Sequence, residues 1–342
     1  MKVKVGKKII GDGQPCFIIA EAGSNHNHSL SLAKKLIDVA AEAGADAVKF
    51  QSIKFSELYL PNLLPNREIK KLYPRIELQE SWYKILMEHS KKRQIMFLSS
   101  ITYPRAANIL QKLGVEAFKI ASPQAVGNFP LASHVASKKL PLFLSTGYMN
   151  YAGIKKIVNV CLKEKNKKIV LFHCVSKYPC SPAEVNLNAI ARLKKSFKFP
   201  VGLSDHTLGF HITLAAVAKG ANIIEKHFTL SRKLKGPDHH FALEPHGLKE
   251  MIKQLREVEQ SFGDGRRDRI SKTEKEIIPL IQTRLIAGRA IKQGEILKKP
   301  MLEYKRAPYG IFVSDIDKAL NHKIIKPLAG QTPISWSDIN KF

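Results

Sequence analysis

The sequence predicts an α/β protein: a (β/α)8 barrel followed by a small β-rich module. Three observations carry this. Apolar runs of β-type residues recur eight times, most followed by helical sequence. The polar residues of each run gather at its C-terminal end. Beyond residue 262 the pattern changes to short apolar stretches separated by Gly and Pro turns. The expected organisation is a barrel over 1–262, a linker over 263–282 and a compact module over 283–342.

The eight runs lie at 17–21, 47–51, 95–100, 117–122, 142–146, 169–173, 201–206 and 223–227. Between them the spacing turns helical. In SLAKKLIDVAAEA, Leu32, Leu36, Val39 and Ala40 share one face, and Gly44 is a plausible stop. Trp82, Ile85, Leu86 and His89 open a second helix, and Leu248, Met251, Ile252, Leu255 and Val258 mark the closing one. Eight alternating units over about 260 residues suit a closed barrel better than an open doubly wound sheet. No G-x-G-x-x-G follows the first run, which removes the usual dinucleotide-binding fingerprint. A long excursion over 52–80, with Pro61, Pro65 and Pro74, is expected to be a lid or substrate loop.

Composition narrows the function classes. The chain has 342 residues, 44% hydrophobic and 25% charged, as in ordinary globular proteins. No apolar run reaches the roughly 18 residues of a membrane span, and the basic N-terminus has too short an apolar run for a signal peptide. The expected compartment is the cytoplasm, without a membrane partner. Cys16, Cys161, Cys174 and Cys180 include no C-x-x-C pair, which argues against a structural zinc site or a disulfide framework. Lys and Arg number 56 against 29 Asp and Glu, a formal charge of +27. That excess is spread along the chain without a nucleic-acid-binding signature, so a basic surface attracting anionic substrates is expected rather than a nucleic-acid partner.

Barrel active sites occupy the C-terminal face of the strands. The pooled candidates there are Glu21, Lys49, Gln51, Ser100, Lys119, Ser122, Ser145, Thr146, His173, Ser204, His206, Glu225 and His227. Lys49 and Lys119 lie inside apolar runs, where a snorkelling surface lysine explains them poorly. Two lysines with several hydroxyls suit a phosphate or carboxylate. In GLSDHT and IIEKHF, strand alternation places Ser204 and His206 on one face with Asp205 opposite, and Glu225 and His227 on one face with Lys226 opposite. Two converging histidines can bind a divalent metal whose shell is completed by oxygen ligands; two satisfied core histidines remain the alternative. Two further readings stay open: a Schiff-base aldolase using Lys119 or Lys226, and a basic binding protein without catalysis.

The motifs IIAEAGSNHN, ADAVKFQ, FLSS, FKIAS, LSTG, HCVSKYP, GLSDHT, EKHFTL and GPDHHFAL follow in order. On these the chain resembles, end to end, the sialic acid synthase (N-acetylneuraminate synthase) family, which includes legionaminic and pseudaminic acid synthases and spore-coat synthases. The tail resembles that family's antifreeze-like (SAF) domain, with KRAPYG where K-R-P-G is usual. The resemblance implies a transferase that condenses phosphoenolpyruvate with an open-chain N-acyl-mannosamine-type sugar and releases phosphate. It implies Mn2+ or Mg2+ on His206 and His227, and proton transfer by Glu21. Lys49, Ser100, Lys119, Ser122, Ser145, Ser176 and Ser204 match phosphoenolpyruvate-binding positions. Gln51, Tyr178 and Asp238 match sugar-binding positions, and Glu225 matches a carboxylate near the metal. Arg306 matches an arginine given to the partner's site in a domain-swapped homodimer. Ser100 stands where Thr is common, Ser176 where Asn is usual, and Gln124 where a sugar-binding Glu is frequent.

Overall fold

The computed structural model describes residues 1–60 and 74–340. The chain divides into two compact units, Met1–Phe262 and Gly263–Phe342.

In the first unit eight parallel strands close a barrel: β3 (Phe17–Gly23), β4 (Ala47–Ser52), β5 (Met96–Ile101), β6 (Phe118–Ile120), β7 (Leu142–Ser145), β8 (Ile169–Cys174), β9 (Val201–Asp205) and β10 (Ile223–His227). Each neighbours the next in sequence, and β10 pairs with both β9 and β3. A helix follows each strand. These are α1 (Leu30–Glu42), α2 (Trp82–Lys92), α3 (Pro104–Lys112), α4 (Phe129–Ser137), α5 (Tyr151–Lys163), α6 (Asn188–Phe197), α7 (His211–Ala218) and α8 (Pro245–Gln260). Their ends follow local chemistry. The Ser29 hydroxyl accepts from the Leu32 amide to open α1, and Asn150 caps α5 through Gly153. Gly44, at φ +87°, takes the chain out of α1 in a conformation that disfavours a side chain.

Period-two alternation divides the strands into two apolar layers. Ile18, Ala20, Val48, Phe118, Leu142, Leu171, Leu203 and Ile224 pack outward under the helices. Phe17, Ile19, Ala47, Leu98, Phe143, Val170, Phe172 and Ile223 fill the barrel interior. A hairpin absent from the sequence reading, β1 (Lys2–Val5) and β2 (Lys8–Gly11), adds Val3, Val5 and Ile10 to that inner cluster. It plugs the N-terminal end, so the inward polar residues gather at the other. Gly202 marks the tightest interior approach: a Cβ there would lie 1.9 Å from the Ile223 carbonyl oxygen.

Of the 52–80 excursion, residues 61–73, including Pro61 and Pro65, lie outside the described residues. Its C-terminal end is tied down. The His28 ring meets the Glu77 carbonyl at 3.1 Å and the Gln79 amide at 3.0 Å, and Tyr103 donates to Glu80 at 3.0 Å.

In the second unit, the segment 263–282 contains a ten-residue helix, α9 (Lys272–Ile281), opened by a reciprocal Ser271–Glu274 capping box. Antiparallel β11 (Thr283–Ala287) and β12 (Leu302–Arg306) follow. The short apolar stretches of this unit meet through single antiparallel bridges, among them Ile291 with Leu328 and Ile296 with Lys323. Leu285, Ala287, Ile291, Leu297, Ile311, Ile324, Leu328 and Ile334 make a separate small core.

Candidate active site

At the C-terminal end of the barrel the inward side chains form a buried charge cluster. Lys119 of β6 reaches Glu225 of β10 at 2.7 Å. Lys49 of β4 donates to the Ser100 hydroxyl at 2.8 Å and lies 2.8 Å from Glu21 and 3.6 Å from Glu225. The Lys49–Glu21 contact is an ion pair in distance, without hydrogen-bond geometry at that carboxylate oxygen. Ser204 donates to the second oxygen of Glu225 at 2.9 Å, and Gln51 donates to Glu21 at 3.0 Å. Lys49 and Lys119 are only 2% and 1% exposed, and the Lys119 ammonium sits 4.2 Å above the Phe172 ring.

The two carboxylates differ in their electrostatics. Burial pushes both upward. At Glu225, Lys119 and Lys49 outweigh burial and hold the carboxyl well below its usual range. At Glu21 burial wins over Lys49, and the neighbouring Glu225 charge adds to it, so its pKa is raised from 4.5 to about 7. Burial lowers Lys119 against the pull of Glu225. Glu225 is thus the fixed counterion of two lysines, and Glu21 the carboxyl ready to exchange a proton. In metal-free protein a single carboxyl is expected to titrate near pH 7, as an infrared band that Glu21→Gln abolishes. Because the folded-state pKa is raised, the stability tied to this group is complete below about pH 4 and is lost as the pH rises through 7. Glu21→Gln removes that slope. A band titrating in the ordinary range would refute the assignment.

A second group of hydroxyls lies between β6, β7 and β8. Ser122 accepts from the Gly147 amide at 3.1 Å, and both Ser122 and Ser176 approach the Cys174 sulfur at 3.5 Å. A Cβ on Gly147 would fall 2.4 Å from the Ser176 hydroxyl and 2.6 Å from that of Ser122. The backbone there leaves a small polar cradle that only glycine keeps open. Ser145 is buried on the inward parity of β7.

His206 and His227 converge with ring centroids 5.5 Å apart. Nδ1 of His206 lies 2.8 Å from the Val175 carbonyl oxygen, which leaves Nε2 turned to the interior, 3.4 Å from Ser204. Burial, then the neighbouring His206, keeps His227 well below the ordinary histidine range. Its Nδ1 is buried without a hydrogen-bond partner and lies 3.8 Å from an Asp238 carboxylate oxygen. Tyr178 covers the pair, its ring centroid 4.1 Å from that of His206 and 5.9 Å from that of His227, and the Phe241 centroid stands 5.1 Å from that of His227. Gly23, at φ +54°, lets Asp238 close in: a Cβ there would be 2.9 Å from it. Among the described residues no three His, Cys, Asp or Glu side chains form a ready-made metal site.

The structure thus brings together Glu21, Lys49, Gln51, Ser100, Lys119, Ser204, His206, Glu225 and His227, with Ser122, Ser145, Ser176, Tyr178 and Asp238 around them. Arg306 lies in the second unit, exposed at the end of β12. Two pooled candidates, and the Schiff-base candidate Lys226, point elsewhere. His173 faces outward and bonds the Val185 carbonyl; Thr146 is tied to the Phe172 carbonyl; Lys226 lies on the outer face, bound to Asp205. Strand parity is the reason, and it also places Cys174, missed in the sequence, on the face of Val170 and Phe172. Gly147 and Phe241 were also missed: neither stands at a strand end, and only the fold brings them to the pocket.

Residues 36–267 match the model of the NeuB family, and residues 283–340 that of the SAF domain. This chain belongs to the NeuB family. It is 42% identical to the N,N'-diacetyllegionaminic acid synthase of Campylobacter jejuni, over 86% of this chain and 91% of that protein. It is 35% identical to the Legionella pneumophila enzyme of the same name, over 98% and 97%. Among solved structures, it is similar to the N-acetylneuraminic acid synthetase of Leptospira borgpetersenii, with TM-score 0.75, 36% identity and coverage of 81% and 95%. It is also similar to the Bacillus subtilis spore coat polysaccharide biosynthesis protein, with TM-score 0.71, 32% identity and full coverage of both chains. The NeuB-family match overlaps the strands from β4 to β10. Among the described residues no helix is long and apolar enough to cross a membrane.

Proposed function

We propose that this NeuB-family chain is a nonulosonic acid synthase. It condenses phosphoenolpyruvate with an N-acyl-mannosamine-type aldehyde to give a nine-carbon 2-keto acid and phosphate. The observation that carries the reading is the buried pair Lys49 and Lys119, ringed by serine hydroxyls and set beside two converging histidines. Family membership and the similarity to legionaminic and N-acetylneuraminic acid synthases support it.

The residues divide the work by charge. Lys49, Lys119, Ser100, Ser122, Ser145, Ser176 and Ser204 bind the phosphate and carboxylate of phosphoenolpyruvate, as point charges and charge-assisted hydrogen bonds in a water-poor site. Glu225 keeps both lysines ionised while the site is empty. Gln51, Tyr178 and Asp238 orient the sugar so that its aldehyde carbon faces the phosphoenolpyruvate methylene carbon. The C–C bond forms there, water adds to the resulting cationic carbon, and phosphate leaves. Glu21, able to gain or lose a proton near neutrality, handles the proton at the reacting centre.

The histidines suit a divalent ion. The His206 ring is oriented by a backbone carbonyl, as metal-binding imidazoles commonly are, and the buried His227 nitrogen lacks a partner. His206 and His227 would hold Mn2+ or Mg2+ with oxygen ligands from water or substrate. Bound there, the ion supplies Lewis-acid polarisation of the aldehyde oxygen. Arg306 completes the sugar site of a second copy in a swapped homodimer, and the enzyme works in the cytoplasm.

Similarity to legionaminic acid synthases, with Gln124 in place of a carboxylate, favours a 2,4-diacetamido-2,4,6-trideoxymannose acceptor over N-acetylmannosamine. Phosphate release from phosphoenolpyruvate with Mn2+ is expected to be at least about tenfold faster with the diacetamido sugar, a difference of about 1.4 kcal/mol. Equal rates would remove the acceptor assignment, and no release with either sugar would remove the synthase reading.

A further inference from the structure

The strand ends that carry His206 and His227 are joined behind the site by a buried ion pair that plays no part in the chemistry above. Asp205 and Lys226 each immediately precede one of the histidines. They are partners in the β9–β10 register and face out of the barrel, 2% and 1% exposed. Their charged atoms are 2.8 Å apart. The Asp205 carboxylate also accepts from the Thr207 amide at 2.9 Å, the Thr207 hydroxyl at 2.8 Å and the Thr213 hydroxyl of α7 at 2.7 Å. Lys226 also donates to the Thr207 carbonyl at 2.6 Å.

His206 lies one residue beyond the end of β9, so it is outside the ladder and the sheet does not fix it. The ion pair takes over that task. Asp205 holds the amide of the residue after His206, and Lys226 holds the same residue's carbonyl. The His206 carbonyl accepts from the Cys180 amide at 2.9 Å, and its ring is tied to Val175. Lys226 is also the chain neighbour of His227. One pair therefore sets both histidine backbones against each other. Apolar side chains of like volume would fill the same space without desolvating two charges; what they lack is the directional hold on Thr207.

We propose that Asp205 and Lys226 are positioning residues that fix His206 relative to His227 for a shared divalent cation. The inference rests on the two-histidine metal reading above. Its test is Mn2+ titration of the full chain, following the free ion by electron paramagnetic resonance, with thermal unfolding measured in parallel. Lys226→Met alone would strand a buried carboxylate. The double variant Asp205→Asn/Lys226→Met removes both charges and keeps a carbonyl acceptor for Thr207. Thr213→Val, which removes one donor from outside both strands, is the second variant. The double variant is expected to bind Mn2+ about tenfold or more weakly while unfolding cooperatively, the size seen when outer partners of metal ligands are lost. Thr213→Val is expected to weaken binding about two- to fivefold, a fraction of that loss. An unchanged Kd in whichever variants fold overturns the proposal. Binding that is absent from the unaltered protein, or that survives both His206→Ala and His227→Ala, overturns the metal reading and this inference with it.

Discussion

Thorough removal of divalent metal is expected to lower phosphate release by about a thousandfold or more, and added Mn2+ to restore it. Polarisation of a carbonyl oxygen by a bound ion is worth several kcal/mol of transition-state stabilisation, and about 4 kcal/mol is a thousandfold. His206→Ala and His227→Ala should each reproduce the loss, and added metal should not rescue them. The histidines are buried and convergent, and His227 carries a partnerless nitrogen. An alanine in either place leaves one imidazole, too few for tight binding of these ions. Release that persists after chelation, together with near-normal rates in both variants, would show that the imidazoles serve packing alone. The Schiff-base reading would gain little from that result. Lys226 is turned out of the barrel towards Asp205, and Lys119 is paired with Glu225.

Glu225→Ala is expected to cost about 3–5 kcal/mol of folding stability, the typical result of removing one partner from a buried ion cluster. It leaves Lys119 and Lys49 in the barrel interior with Glu21 as the one remaining carboxylate of the cluster, too little charge to balance two ammonium groups. Glu225→Gln keeps an acceptor for Ser204 and Lys119 and should cost less. The alanine variant makes a second, opposite prediction. With one carboxylate left for two lysines, it should bind inorganic phosphate more tightly, so phosphate should raise its Tm more than that of the unaltered chain. Denaturant unfolding with and without phosphate measures both effects. A loss below about 1 kcal/mol, the range of exposed ion pairs, would mean that water reaches the cluster and that its low-dielectric character is absent.

The barrel was legible because its signals are local and repeated. The runs at 17–21, 47–51 and 223–227 are too apolar for a surface and too regular for a loop, and their charged ends fall where barrel chemistry gathers. Leu36 and Ala40 in α1, and Leu248, Met251, Ile252 and Leu255 in α8, are buried on the faces their spacing indicates. The β1–β2 hairpin escaped notice because KVKV and KIIG are short and lysine-rich. Their apolar half becomes meaningful only when the open end of a barrel lies beneath it. The 263–282 segment looked like linker because GDGRRDR is turn-forming, yet the Ser271–Glu274 pair three residues apart is a helix-start signal that opens α9.

Parity separates what the sequence could determine from what it could not. Within a strand, alternation is fixed by the backbone, so Ser204 with His206, and Glu225 with His227, were readable as shared faces. Which face is inside depends on how the sheet closes, a non-local fact. Closure put Asp205 and Lys226 behind the site, sent His173 and Thr146 away from it, and brought Cys174 to it. Distances between strands were likewise beyond the sequence. The contact of Lys119 with Glu225 spans 106 positions in the chain, and burial of that contact is what drives the two carboxylates' proton affinities apart. The sequence by itself determined the eight-unit barrel, the small second unit and the set of polar side chains at the strand ends. The tertiary structure alone decided which of them meet and which carboxyl keeps its proton, because desolvation and Coulomb pairing depend on separations that strand closure creates.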